Sequence, residues 1–261
     1  MTAQPLQLVA EEHSTAAAVA VRDVSKTYGD GHSSIRALEE VSLDIGKGEF
    51  VCLLGASGCG KSTLLNLIAG VYHLDQGTIC TDGRVGLMFQ EPALFPWLTV
   101  ERNVDAAMRF RKVSKDRRRA RAFELLRMVH LDEFATRRPH ELSGGMQQRA
   151  ALARALAQDA DILLMDEPFG ALDAMTRTVL HDEFERIWSA TGLTVVFVTH
   201  DVREAVRLGD RIVLLSSRPG RVVDEFAVDL ARPRDMESAE VAAITGKVIT
   251  RLRAEVRRHG H

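Results

Sequence analysis

Phe50-Val51-Cys52-Leu53-Leu54-Gly55-Ala56-Ser57-Gly58-Cys59-Gly60-Lys61-Ser62-Thr63-Leu64-Leu65-Asn66-Leu67-Ile68 is the stretch whose reading decides the fold. A short apolar run of β type enters a glycine-rich loop, and Leu64, Leu65, Leu67 and Ile68 then recur at helical spacing. Strand, loop and helix in this order make a phosphate cradle, because glycines let backbone N–H groups wrap oxygen atoms and the helix start faces the negative charge. Residues Gly55, Ala56, Ser57, Gly58, Cys59, Gly60, Lys61, Ser62 and Thr63 fit the pattern GxxxxGK[ST]. Lys61 is expected to reach the β and γ phosphates, Ser62 to offer its hydroxyl to Mg²⁺ and Thr63 to meet an α-phosphate oxygen. The implied ligands are ATP and Mg²⁺. The Cys59 thiol, at a helix start, has two readings: a lowered pKa and reactivity toward alkylating agents, or a small filler residue.

A second segment supplies acids. Ile162-Leu163-Leu164-Met165 is an apolar strand ending in Asp166-Glu167, which places Asp166 beside the magnesium and Glu167 one step nearer the γ-phosphate as general base. Taken alone, the pair would read equally well as acids at a helix start. A third apolar strand, Val195-Val196-Phe197-Val198, leads through Thr199 to His200, so the strand end aims an imidazole at the same cleft.

Leu142-Ser143-Gly144-Gly145-Met146-Gln147-Gln148-Arg149 lies between the glycine loop and the Asp-Glu strand end. By itself it is a serine-capped helix start. In this order it resembles the signature motif of the ATP-binding-cassette (ABC) ATPases. Other positions resemble that family's elements in sequence: Tyr28 its adenine-stacking aromatic, Gln90 in Phe89-Gln90-Glu91-Pro92 its glutamine loop and a magnesium contact, Ala171-Leu172-Asp173 its D-loop, and His200 its switch histidine.

The resemblance covers about residues 19–226. It implies that two copies pair head to tail, with Ser143, Gly144 and Gly145 of one acting on the γ-phosphate held by the other, and Asp173 near the shared nucleotide. Glu91 to Val104 and Pro168 to Asp173 resemble the nitrate, sulfonate and taurine importer branch. That implies separate membrane permease subunits and, through them, an extracytoplasmic solute-binding protein. A non-transport ABC ATPase working on nucleic acid or ribosomes is the alternative, although no coiled-coil insertion or cysteine cluster separates the two motifs. A P-loop kinase or GTPase has no use for Ser143 to Arg149 or for His200.

The bulk numbers agree with a soluble motor. The chain has 261 residues, 46% hydrophobic and 27% charged, enough for a substantial core. Lys plus Arg number 34 against 36 Asp plus Glu, so no broad positive field exists to hold nucleic acid or a bilayer. The basic run at Arg117-Arg118-Arg119 has no interleaved aromatics and reads as a solvated helix face. No apolar stretch is long enough to span a membrane and no export signal opens the chain, so the expected place is the cytoplasmic face of the inner membrane, held there by partners. Cys52, Cys59 and Cys80 form no metal or disulfide pattern.

The expected fold class is α/β: a P-loop core with a mostly parallel sheet, an antiparallel β subdomain and an inserted helical subdomain. Residues 1–18 read as a tail, 19–98 and 159–230 as the ATP-binding core, 99–158 as the helical subdomain carrying the Ser143 motif, and 231–261 as a helical extension. Strands are expected at 19–24, 35–45, 49–54, 161–165 and 193–198, with two more within 211–227, and helices at 175–190 and 240–258. Turns are expected at Gly29-Asp30-Gly31 and Gly46-Lys47-Gly48. The apolar loop Pro92-Ala93-Leu94-Phe95-Pro96-Trp97-Leu98 is expected to dock a membrane subunit, the alternative being that Leu94, Phe95 and Trp97 pack beneath the helical lobe.

Overall fold

Strands that carry no polar residue on either face need cover on both, and this requirement arranges the chain. The structure, a computed structural model, describes residues 17–29, 33–109, 111 and 113–259. Within them the order is β1 (Ala17–Tyr28), β2 (Ile35–Gly46), β3 (Phe50–Leu54), α1 (Lys61–Ile68), β4 (Gln76–Thr81), β5 (Val85–Met88), α2 (Val100–Arg109), α3 (Lys115–Met128), α4 (Gly144–Leu156), β6 (Ile162–Asp166), α5 (Ala174–Thr191), β7 (Thr194–Val198), α6 (Val202–Leu208), β8 (Arg211–Leu215), β9 (Val222–Ala227) and α7 (Ala239–His259).

Six strands form one sheet in the order β5-β6-β7-β3-β8-β9. The first five run parallel and β9 returns antiparallel on β8. Every residue of β3, β6 and β7 is buried. Because side chains alternate along a strand, Phe50, Cys52 and Leu54 join the cluster under α4 and α5, while Val51 and Leu53 join the one under α1 and the second sheet. That second sheet, β2-β1-β4, is antiparallel. Between β5 and β6 the chain is helical, with short 3₁₀ turns at Asp132–Phe134 and Pro139–Glu141 linking α3 to α4.

Several bounds differ from the sequence reading. Strand β1 begins at Ala17, inside the expected tail, because Ala17 pairs with Gly46 and Ala18 is buried in the apolar cluster between the two sheets; residues 1–16 lie outside the described residues. Of the expected Gly29-Asp30-Gly31 turn only Gly29, at φ 78°, is described. Three elements had no sequence signal. Strand β4 is exposed at nearly every position, β5 has four residues with Gly86 among them, and α6 spans only seven residues.

Helix α7 lays Val241 and Val248 on the main core. The segment before it is held by the buried Arg234, whose guanidinium donates to the carbonyls of Val206, Gly209 and Val228 at 2.7, 2.6 and 2.9 Å. Two of these carbonyls lie at the end of α6, where a cation meets the negative end of the helix.

Candidate functional site

Strand β3 sits between β7 and β8, so the loop after it emerges at the carboxyl edge of the sheet, where open α/β sheets bind ligands. Gly60 caps α1 in the left-handed region at φ 101°, with no side chain spent on the free N–H groups of the first turn. A Cβ there would lie 2.8 Å from the Ala37 carbonyl oxygen, so only glycine fits. The result is an anion-receptive helix start. Lys61 is buried, and its Nζ donates to the Gly55 and Ala56 carbonyls at 2.9 and 3.1 Å.

A cleft of about 560 Å³ opens over this loop, a volume suited to a small-molecule ligand. Its lining brings together Tyr28, Ser57, Gly58, Gly60, Lys61, Ser62, Thr63, Gln90, Glu167 and His200. All of these come from the expected site, and they arrive from both sheets. Tyr28 Oη lies 3.5 Å from Thr63 Oγ1, and its ring meets Tyr72 edge to face at 6.1 Å.

Asp166 closes β6 and is buried. Its Oδ1 has no hydrogen-bond partner, while the Ser62 hydroxyl bonds to the same carboxyl. Burial raises the Asp166 pKa, with the Ser62 hydrogen bond opposing the rise. An orphaned carboxylate oxygen beside a hydroxyl is a donor set that suits a hard cation. Among the described residues no group of three or more His, Cys, Asp or Glu could hold an ion, so a cation here would draw its other ligands from neutral side chains, phosphates and water.

Glu167 follows with φ 46°, a left-handed backbone that costs a non-glycine residue energy and turns its carboxylate away from the strand line. Its N–H donates to the Val198 carbonyl at 3.0 Å, and its Oε2 lies 3.2 Å from His200 Nδ1. The strand ends β6 and β7 therefore present a carboxylate and an imidazole as a pair. Behind them Thr199 and His181 both bond to the buried carboxylate of Glu204.

Ser143, Gly144, Gly145 and Asp173 are not part of this cleft. Ser143 caps α4 by accepting from Met146 N at 3.3 Å. Asp173 caps α5, accepting from Met175 N and Thr176 N at 3.1 and 3.0 Å, and these bonds lower its pKa. Cys59 is buried, and burial pushes its thiol pKa up, overturning the reading of a reactive thiolate. Desolvation outweighs the helix start and Lys61 at this position. The cleft also contains Ile35, Ala37 and Arg218, which the sequence reading did not identify. Arg218 carries a usable signal, standing in a Ser-Ser-Arg-Pro-Gly turn directly after an apolar strand of the parallel sheet.

A phosphate cradle, an unpartnered carboxylate and a Glu-His pair at the ends of parallel strands define a P-loop nucleotide hydrolase. Comparison with known proteins narrows the class. A family profile described as ABC transporter matches residues 38–170. The taurine import ATP-binding protein TauB of Rhizobium johnstonii is 48% identical over 233 residues, 86% of this chain and 88% of that protein. The aliphatic sulfonates import ATP-binding protein SsuB of Bacillus cereus is 42% identical over 240 residues, 88% of this chain and 94% of that protein. The dimeric post-hydrolysis structure of the ATP-binding cassette MJ0796, bound to ADP and Pi, superposes with a TM-score of 0.76 at 37% identity, covering 82% of this chain and all of that one. The chain belongs to the ABC transporter family.

Proposed function

We propose that this chain is the ATP-hydrolysing subunit of an importer for taurine or a similar small sulfonate, working as a head-to-tail pair beneath separate membrane permease subunits. The observation that carries the reading is the convergence of Lys61, Ser62, Gln90, Glu167 and His200 on one cleft over the glycine loop. The solute class follows the relatives named for taurine and aliphatic sulfonate import. An extracytoplasmic binding protein would deliver the solute to the permease.

In this reading Tyr28 stacks on the adenine and the loop from Gly55 to Thr63 wraps the phosphates. Ser62, Asp166 and Gln90 would hold Mg²⁺, which would supply positive charge to neutralise the phosphate oxygens. Glu167 takes a proton from the attacking water, and His200 fixes the orientation of that carboxylate through the 3.2 Å contact. Ser143, Gly144 and Gly145 serve the γ-phosphate held by a second copy, and Asp173 lies at the same junction. Phosphoryl transfer depends on positioning, so the site becomes competent when the pair closes. The ATP-binding core at 19–98 and 159–230, the helical unit at 99–158 and the extension at 231–261 are the moving parts of this scheme.

Attachment to permeases is assigned to the loop after Gln90. Asn103 is fully buried and staples this loop, accepting from Phe95 N at 2.8 Å and donating to the Phe95, Leu98 and Thr99 carbonyls at 3.2, 3.3 and 3.0 Å. Arg154 ties the same loop to α4 through the Pro92 and Ala93 carbonyls. Leu94 packs inward, whereas Trp97 is 68% exposed. A rigid loop that holds a tryptophan in solvent has the character of an anchor for a partner's pocket. No helix among the described residues is long and apolar enough to cross a membrane. The proposed location is peripheral, on the cytoplasmic face.

Affinity purification from native membranes tests this. Tagged wild type is expected to bring down integral permease subunits, and Trp97→Ala to lose them while ATP hydrolysis by the isolated chain stays unchanged. Recovery of ribosomes or DNA-repair proteins with the wild type would overturn the transport reading.

A further inference from the structure

The turn between β8 and β9 touches the phosphate loop at two points. Gly220 approaches so closely that a Cβ on it would lie 2.1 Å from the Cys59 carbonyl oxygen. Arg218 Nε donates to the Gly58 carbonyl at 3.2 Å. The turn is braced from within and from behind. Ser216 Oγ donates to the Pro219 carbonyl at 2.7 Å and accepts from Arg221 N at 2.8 Å. Gly220 N donates to the Ala37 carbonyl at 2.9 Å, and Glu39 N to the Gly220 carbonyl at 3.0 Å. The backbone at Arg218 is thus fixed against both the glycine loop and β2.

The two arginines flanking Pro219-Gly220 differ. Arg221 is ion-paired with Glu39, whereas Arg218 has no carboxylate within 4.0 Å among the described residues. Arg218 instead lines the nucleotide cleft and is exposed to it. Its Nε is used by Gly58, which leaves the outer edge of the guanidinium, Nη1 and Nη2, for another acceptor. A guanidinium pinned by one nitrogen, with two donors left in a plane, is prearranged for phosphate oxygens. Lys61 is buried beneath the loop, and Arg218 is a cation on its outer side.

We infer that Arg218 is a phosphate-binding residue of the nucleotide site, clasping the phosphate chain from the outer side of the loop whose inner side is served by Lys61. The inference rests on the nucleotide reading of the cleft and adds a residue to it from outside the phosphate motif. Arg218 then links the β8–β9 turn to nucleotide occupancy.

The test measures the dissociation constants of ATP and ADP for wild type, Arg218→Gln and Arg218→Lys at low and high salt, with thermal unfolding as a control on the fold. Arg218 is exposed, so both variants are expected to unfold near the wild-type temperature. Arg218→Gln should weaken both nucleotides about tenfold at low salt and less at high salt, while Arg218→Lys, which keeps the charge but not the planar pair of donors, should show a smaller, intermediate loss. Equal affinities in wild type and Arg218→Gln would overturn the inference. So would equal losses in the two variants, which would make Arg218 a brace for Gly58 rather than a ligand for phosphate. Failure of the wild type itself to bind ATP would overturn the nucleotide reading instead.

Discussion

The chain contains two glycine-rich helix starts, at the head of α1 and at the head of α4, that share local chemistry and differ in surroundings. Gly60 leaves the N–H groups of α1 uncapped, inside a cleft with Lys61, Glu167 and His200. Ser143 caps α4, and no atom lies within 4 Å of a Cβ built on Gly144. One start is enclosed by the groups proposed for catalysis, and the other is open. An anion site could therefore be divided, with charge and water control built into one half and a serine-capped, exposed helix start offered by the other. In the proposed pairing, such an open half would acquire a function when a second copy supplies the phosphate.

The largest expected effect strikes the enclosed half. Glu167→Gln removes the proposed proton acceptor while keeping the shape of the side chain, so hydrolysis should fall about 10²–10⁴-fold with ATP affinity retained. A steady-state assay beside a binding titration checks both. Retention of hydrolysis would shift the role of base to another group.

Next comes the open half. Gly144→Asp has room for its side chain, and an acid in the first turn of α4 suits the helix dipole. The variant should unfold as the wild type does, within about 0.5 kcal/mol, and bind ATP normally. Its hydrolysis should nevertheless fall about 10²-fold, because in the proposed pairing the new charge would face the partner's γ-phosphate. Undiminished hydrolysis would mean that the two starts are not joined.

The smallest effect concerns Cys59 on the enclosed start. With its thiol pKa raised by burial, it should alkylate far more slowly at mildly alkaline pH than the exposed Cys80, as read by mass spectrometry of iodoacetamide adducts. Equal labelling would mean that the phosphate loop opens freely.

The enclosed half was legible in the sequence because its parts are contiguous. Gly55 to Thr63, Asp166-Glu167 and His200 each sit at the end of an uninterrupted apolar strand, and the parallel sheet brings such ends together. What escaped had weak periodicity or depended on tertiary approach. Strand β4 is recognisable only through its pairing with β1, since it buries no side chain fully. Helix α6 is too short to show a period, although Asp201 caps it. Arg218 enters the cleft because Gly220 lets a distant turn touch Cys59, a contact no local pattern encodes. The loop at Leu94 to Leu98 divides between inward packing, which one reading expected, and an exposed tryptophan, which leaves the docking reading as a proposal. Leu94 packs inward and Trp97 faces solvent, a division set by the Asn103 staple.

The central claim, that the head of α4 completes a site on another copy, is tested most directly by sedimentation of Glu167→Gln with and without ATP, alongside the double variant Glu167→Gln, Gly144→Asp. The account predicts that ATP converts the single variant from monomer to dimer and leaves the double variant monomeric with ATP bound. A single variant that stays monomeric at saturating ATP, or a double variant that dimerises equally well, would contradict it.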